Sequence, residues 1–583
     1  MIQVDPITVA TTWHFIQRVC REMRETCERT ATNVLIVTLH DMAYGIWDAD
    51  GRVIAIPEGF PPRLISSTFP IRAAKKKFEG RIYPGDVFLT NYPLDGAVHL
   101  ADWVFVRPIF FKNELVFWTC MGTHVADVGG AQAGSHFLAY DSIAEGLNIP
   151  LIKVMERGEW REDVIELILA NNRLPDMMRR EMASLMGSTA VAERRMIELL
   201  DRYGKEMVYA SVEEMIERTE KAVRTKISEW PEGTYYSEVQ TDDDGATMDN
   251  PITIRCKLTI VNGEVTFDFS DTDAQVKGMM NAHFHQTLSN TLCTTFLFLG
   301  NELSAYHNEG SLRPIHVKTK KGTIVDCYHG ALTAGAPAVT GALTVEAVLS
   351  VMSQALPDKA IGTYARLSSP IIIGDDPKTD SIYVYSSFAA AAGAGAVYGY
   401  DGYQCACDMG TLGVVGKSDV EDEMVRFPWD ICQYEFRTDS HGAGKWRGSP
   451  GIAWEAVNEG GHSHNTGGAM SGFSTQGPGQ QGGWSTPLNK AFVLRGEKKI
   501  DIAHPHIQTE FDTGDHFGVL SGGGAGIGNP EDRDPEAVRL DVKNELVSPQ
   551  MAKDVYKVVL DPNTYEINQE ATQKLRSKAK NSD

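Results

Sequence analysis

Two apolar runs, WVFVRPIFF at 103–111 and ELVFWTCMGTHVADVGG at 114–130, stand on either side of Lys112-Asn113 and predict a hairpin. They close a longer stretch, from Tyr83 to Gly130, in which Tyr83-Pro84-Gly85-Asp86 reads as a turn, Val87–Thr90 as a strand and Asn91–Gly96 as a loop. The stretch carries His99, Asp102, His124 and Asp127 on or beside these short strands. Imidazoles and carboxylates gathered at strand ends supply the mixed nitrogen and oxygen donors that a divalent metal takes.

Ahead of it, Asp5-Pro6 opens a helix, with Asp5 as N-cap and Ile7, Thr11, Phe15, Val19 and Met23 recurring near helical spacing. The next segment, VLIVTLHDMAYGIWDADGRVIAI, reads as two strands joined at Asp48-Ala49-Asp50-Gly51, with His40 and Asp41 near the middle of the first. A charge inside an apolar strand costs several kcal/mol unless it is paired, so Asp41 requires a hydrogen-bonding partner or a metal. Asp41, His99, Asp102 and His124 together would suit zinc or manganese. His99 and Asp102 are three apart and would point to opposite faces of a regular strand, so the site needs a bend, which the Gly96 loop can provide. On spacing alone the competing reading stands: two satisfied core histidines and two turn-forming aspartates.

The rest of the 583 residues suggests an α+β chain in three regions. Residues 1–141 form the candidate metal-binding part with its hairpins and helices. Residues 142–230 are rich in helix formers with apolar residues near i, i+3, i+4 and i+7, which predicts two or three long helices. From 231 to 583 the chain is β-rich: a meander begins at 233 with a turn at Asn262-Gly263, a helix spans Met280–Leu299, and Gly- and Ala-rich loops with short strands run to about 530 before a polar tail expected to fray.

A formal charge of −22 with no long basic block argues against nucleic acid and anionic membranes as partners. Nine cysteines without regular spacing do not form a disulfide framework, and Cys405-Ala406-Cys407 is too closely spaced for a redox pair. No secretory leader or uninterrupted apolar span of roughly 18–20 residues is visible, so the expected location is the cytoplasm. Nucleotide loops fail: Thr411 stands where a P-loop ending at Gly416-Lys417-Ser418 needs glycine, and Tyr398 replaces the third glycine after Gly393 and Gly395. The pairs His283/His285, His462/His464 and His504/His506 are weaker metal candidates.

Taken in order, PGDVFLTNYPLDGAVHLADWVFVRPIFF, the hairpin ending THVADVGG, FDFSDTDAQVKGMMNA and HGAGKWRGSPG make the chain resemble the hydantoinase B family along nearly its whole length. That family includes the B-type parts of ATP-dependent hydantoinases and 5-oxoprolinases and, more distantly, acetone and acetophenone carboxylases. The resemblance implies a metal site at Asp41, His99, Asp102 and His124, with zinc favoured over manganese or iron. It also implies a separate A-type subunit that binds ATP and activates a small cyclic amide, in an α2β2 heterotetramer. The expected reaction is hydrolytic opening of an activated lactam or hydantoin ring, caprolactam to 6-aminocaproic acid being the case that length and ligand pattern favour. Asp127 and His40 are expected as supporting or proton-transfer groups. The neighbours of the ligands depart from the family: Gly96-Ala97-Val98-His99 stands where many members have Gly-Gly-Thr-His, and Asp41-Met42-Ala43 where they have Asp-Phe-Ser. The competing functions are the B-type subunit of a ketone carboxylase and a purely structural subunit.

Overall fold

Lys112 (φ 50°) and Asn113 (φ 65°) both take the left-handed conformation of a tight two-residue hairpin turn, and the sheet of the N-terminal half is built around it. In the computed structural model, which describes residues 4–579 apart from 58, 60, 135–137, 392, 405, 407, 408, 468 and 469, seven strands form this sheet. They are β1 (Met42–Asp48), β2 (Val53–Ala55), β3 (Val87–Thr90), β4 (Asp102–Phe111), β5 (Glu114–His124), β6 (Ile152–Glu156) and β7 (Glu159–Trp160), in the order β2-β1-β5-β4-β3-β6-β7. Cys405 and Cys407 lie outside the described residues.

The β4–β5 register changes along the hairpin. Phe111 pairs with Glu114 and Phe110 with Leu115, but Ile109 pairs with Phe117, so Val116 is an extra residue in β5. Beyond this bulge Asp102 stands directly opposite His124. A one-residue slip would set Asp102 against Thr123 and turn His124 to the other face.

Both faces of the sheet are covered, which explains why its strands read as apolar runs rather than as alternations. Trp103, Phe105 and Ile109 of β4 share a core with Met23 of helix α1 (Pro6–Thr30) and with Met182 and Met186 of helix α2 (Pro175–Tyr203). Val104 and Val106 belong to the second core, with Leu258, Phe267 and Val348. Helix α1 starts as expected, the Asp5 carboxylate accepting from the amides of Ile7 and Thr8 at 3.0 Å.

The observed elements depart from the sequence reading at several places. Val34–Val37 is a helical turn, not strand: Asn33 caps it through the Leu35 amide at 3.1 Å, and Glu181 of α2 fixes the Asn33 amide. His40 (φ 58°) and Asp41 therefore precede β1 instead of lying within a strand, the Asp41 amide donating to Leu35 O at 2.8 Å. Within the stretch of helix formers, 152–160 adds β6 and β7 to the sheet before α2 and α3 (Lys205–Ser228) begin. The meander β8 (Gly233–Gln240), β9 (Thr253–Val261) and β10 (Glu264–Asp268) turns at Asn262-Gly263 as expected and gains a parallel strand, β11 (Ile315–Lys318). Helix α4 (Phe284–Phe296) falls within its expected range, but the Gly/Ala-rich loop after 330 contains a second helix, α5 (Ala342–Ala355). The helical stretch Ala336–Ala355 is long and apolar enough to cross a membrane, yet its apolar window is 89% buried inside the fold; its polar residues Thr344, Glu346, Ser350 and Ser353 are buried too, so it has no exposed polar face and no amphipathic period to read. Finally, 569–579 is helical, and Arg576 ties it to the carbonyls of Arg533 and Tyr556.

The C-terminal part holds two sheets. One runs β13 (Ser381–Ser386), β12 (Ile371–Asp376), β16 (Ser463–Asn465), β19 (Glu510–Phe511). The other runs β14 (Trp429–Phe436), β15 (Ile452–Asn458), β20 (His516–Leu520), β17 (Lys490–Arg495), β18 (Lys498–Ile502). Asp242, just past β8, joins the middle sheet to this part by accepting from the amides of Gly472, Phe473, Ser474 and Thr475 at 2.7–3.1 Å. Burial alone would raise its carboxyl; those amides and the Arg366 charge overcome it and hold it below the usual carboxylate range. A depressed folded-state value contributes stability that is present above the ordinary carboxylate range and lost as pH falls through it. Asp242→Asn is expected to cost about 2–3 kcal/mol at neutral pH, the scale of one or two charged hydrogen bonds, and the deficit should shrink on acidification when the two proteins are compared by urea denaturation.

Candidate metal centre

Asp102 opens β4 and His124 ends β5, paired on one face by the bulged register. Met42 pairs with Thr123, which brings Asp41 to the same edge, and Thr123 Oγ1 donates to Asp41 O at 2.8 Å. His99 comes in from the loop before β4. The bend its position demands is present: the Asp102 amide donates to His99 O at 3.0 Å, closing a turn. Gly96 (φ 108°) allows the loop to pass Phe69 and Pro70, where a Cβ would fall 2.5 Å from both. Asn91, fully buried, fixes the same loop through Leu100 O and Leu147 O, each at 2.8 Å. His285 of α4 holds it from the other side, Nε2 to Ala97 O at 2.9 Å. His285 is thus occupied in positioning; burial, opposed by that hydrogen bond, pushes it down to about 4.

Three donor atoms converge. His99 Nε2 lies 3.2 Å from Asp102 Oδ1 and 3.2 Å from His124 Nδ1, and His124 Nδ1 lies 3.8 Å from Asp102 Oδ1. Ligands bound at 2.0–2.1 Å to a tetrahedral centre stand about 3.3–3.4 Å apart, so this spacing suits a zinc-sized ion. Burial and the neighbouring His99 push His124 down to about 3, against the pull of Asp102, so its ring is neutral and its lone pair is free to ligate. Asp102 Oδ2 is buried with no hydrogen-bond partner, a donor left over for a cation.

The residue that sequence reasoning missed is Arg63. It sits in the short helix Pro61–Leu64, 1% exposed, and its guanidinium bridges Asp41 and Asp102. Ser289 of α4 fixes the short helix by donating to Pro61 O and accepting from the Ile65 amide. Burial alone would raise the Asp102 carboxyl; Arg63, His99 and His124 hold it well below the usual carboxylate range. The only advance signal was a lone arginine after two prolines. Asp41 is thus paired with Arg63 and stands beside the three converging donors. The cluster sets two carboxylates against one guanidinium, so with its imidazoles acting as lone-pair ligands it would carry a net negative charge that favours a divalent cation.

Asp127 and His40 are not brought to this cluster. The Asp127 carboxylate accepts from the Arg173 amide at 2.7 Å and pairs with the Arg173 guanidinium, and His40 Nδ1 lies 2.7 Å from Glu28 Oε1. The cavity above the donors, about 80 Å³, is lined by Asp41, His99 and His124 on one side and by apolar groups such as Leu35, Pro337, Leu367 and Phe388 on the other. A larger cleft of about 330 Å³ adjoins it through Leu35, His124, Ile371 and Ser386. These walls come from segments hundreds of residues apart, which no local pattern could announce.

Comparison with known proteins gives the family and the fold. The family model described as hydantoinase B/oxoprolinase matches residues 5–530, and the chain belongs to that family. Among individual relatives, it is 29% identical to the beta chain of the caprolactamase of Pseudomonas jessenii, with 97% of each chain covered. It is 27% identical to the putative B-type chain of a D-/L-hydantoinase of Pseudomonas sp. (strain NS671), covering 98% of both. The solved structure of the ATP-dependent caprolactamase from Pseudomonas jessenii superposes with a TM-score of 0.90 at 27% identity, over 99% of this chain and all of that one. A nucleotide-free acetone carboxylase also superposes with a TM-score of 0.90 over 99% of this chain and 83% of that one; at 19% identity it shares the fold.

The buried charges around the site make two outcomes measurable. Arg63→Met leaves two buried carboxylates without their counter-charge and should cost about 3–5 kcal/mol, read from chemical denaturation. Glu145, buried against the cavity segment, accepts from the Thr333 amide at 3.2 Å, and burial pushes it up to about 7 despite that bond. The folded chain then holds a proton that the unfolded chain releases, so this group makes stability fall as pH rises from the ordinary carboxylate range through 7. Glu145→Gln should gain on the wild type by up to about 3 kcal/mol between about pH 5 and pH 8, measured as the pH dependence of the urea midpoint.

Proposed function

We propose that this chain is the metal-binding B-type subunit of an ATP-dependent cyclic amide hydrolase. The observation that carries the reading is the convergence of His99, Asp102 and His124, with the two histidines lining a largely apolar cavity, in a chain of the hydantoinase B/oxoprolinase family. His99, Asp102 and His124 would hold the ion, with Asp41 alongside. When bound, a divalent metal such as zinc supplies Lewis acidity toward a carbonyl oxygen and lowers the pKa of a coordinated water. Arg63 keeps the two carboxylates close together without full mutual repulsion and so holds the donor set in register before any ligand arrives. The apolar wall of Leu35, Pro337, Leu367 and Phe388 suits the methylenes of a small lactam ring and keeps bulk water from it.

An A-type subunit would bind ATP and phosphorylate the amide oxygen, and two of each chain would form the enzyme. The caprolactamase and hydantoinase relatives are each named as one subunit of an enzyme, which supports a partnered chain. Caprolactam, opened to 6-aminocaproic acid, is the substrate we favour.

The test uses the complex co-purified with its A-type partner, supplied with ATP and caprolactam, hydantoin or 5-oxoproline, and separately with acetone or acetophenone with and without bicarbonate. ATP-dependent ring opening without bicarbonate is expected. Bicarbonate-dependent consumption of a ketone would instead make this a carboxylase component. His99→Ala should lower turnover at least about 100-fold, beyond the roughly 10–100-fold that loss of a supporting hydrogen bond costs, while the complex stays assembled by mass measurement. Full turnover in that variant would leave this chain a structural role only.

A further inference from the structure

A second group of potential ligands lies away from the first, at the junction of the middle sheet and the C-terminal part. Asp243 follows Asp242 in the turn after β8, and His504 and His506 lie in the loop between β18 and β19. All three side chains are buried. His504 Nε2 stands 2.9 Å from Asp243 Oδ2, and His506 Nε2 stands 3.1 Å from Asp243 Oδ1. One donor atom from each residue lies within 4.8 Å of the other two.

The hydrogen bonds around these rings decide between a core polar cluster and a ligand set. His506 Nδ1 lies 3.1 Å from Gly467 O, and a carbonyl only accepts, so Nδ1 carries the proton. In the neutral ring Nε2 is then a lone pair, and it faces a carboxylate oxygen, which also only accepts. His504 Nδ1 accepts a long hydrogen bond from the His506 amide, at 3.3 Å, so without an ion the neutral ring carries its proton on Nε2; an ion bound at Nε2 would move that proton to Nδ1 and give up this bond. Asp243 Oδ2, His504 Nε2 and His506 Nε2 are each buried without a hydrogen-bond partner. A histidine that donates one nitrogen to a backbone carbonyl and turns the other, unprotonated, toward a carboxylate and a second imidazole is arranged as metal-binding histidines are. The turn supports this: the Asp243 carboxylate accepts from the Gly245 amide at 2.5 Å, which fixes its direction.

We propose that Asp243, His504 and His506 form a second, structural site for a first-row divalent transition ion, zinc being the case we test. Two imidazoles and a carboxylate suit such an ion. Its role follows from its place. Next door, Asp242 grips the 472–475 loop through four amides. An ion on Asp243 fastens the 504–506 loop to the same turn, so two adjacent aspartates attach two separate C-terminal loops to the middle sheet. A buried structural ion contributes directly to folding stability.

The experiment is metal analysis of the full-length chain by mass spectrometry, after loading with zinc and removal of loosely held ion. His99→Ala/His124→Ala should retain zinc, and adding His504→Gln/His506→Gln should remove it. His504→Gln/His506→Gln alone should hold one zinc fewer per chain than the wild type. Asp243→Asn, which keeps the side-chain shape, should do the same, and in the His99→Ala/His124→Ala background it should lose the drop in melting temperature that a strong chelator causes in that background alone. Equal zinc content in the wild type and in both the His504→Gln/His506→Gln and Asp243→Asn proteins overturns the site. So does a wild-type crystal grown with zinc that shows no anomalous peak between these three residues at the zinc edge, the reading then being a carboxylate hydrogen-bonded by protonated rings. Neither result depends on whether the His99 cluster is catalytic.

Discussion

Two carboxylates and a guanidinium are buried together where three neighbouring strands end, and the N-terminal half of the chain is arranged to make that tolerable. Taken singly, each charge would cost several kcal/mol to remove from water. Arg63 answers both Asp41 and Asp102, and the short helix that carries it is fixed by Ser289 from a helix more than two hundred residues later in the chain. The guanidinium offsets one of the two negative charges. What remains is an excess of carboxylate over guanidinium charge beside two imidazoles, in a place where water is scarce and electrostatic attraction is strong.

The candidate site was legible in the residue types and only partly in their geometry. Apolar runs flanking Lys112-Asn113 announced the hairpin, and the three-residue spacing of His99 and Asp102 announced a bend that the turn at His99–Asp102 supplies. The position of Asp41 was misjudged because Val34–Val37 has the composition of a strand; the Asn33 cap and the grip of Glu181 on Asn33 turn it into a helical turn. Local propensity loses there to a tertiary contact. Arg63 was invisible for a related reason: its importance comes from what it touches, not from a pattern in the chain. Helix α5 was hidden in a Gly/Ala-rich stretch because a helix buried on every side has no polar face to reveal its period.

The cavity depends on the whole chain in a way the donor cluster does not. His99, Asp102 and His124 come from one hairpin and the loop before it, whereas the apolar wall is assembled from near residues 35, 337, 367 and 388. The donors can therefore be in register while the cavity is still incomplete. Ligand binding should report on the docking of the C-terminal part onto the N-terminal sheet, and Glu145, which joins the 142–145 turn to Thr333, lies on that route.

The bulge at Val116 turns a matter of shape into one of counting. In a hairpin, the residues that face each other are fixed by the number of positions in each arm and in the turn, so Asp102 and His124 meet only because β5 carries one residue more than its partner. The interval between the two is a conserved quantity of the fold in the arithmetical sense. Among distant relatives, an insertion or deletion in either arm must be balanced by a second change in the turn or the bulge if both side chains are to share a face. An alignment that leaves such a change unbalanced has either misplaced the hairpin or found a member that has given up this pairing.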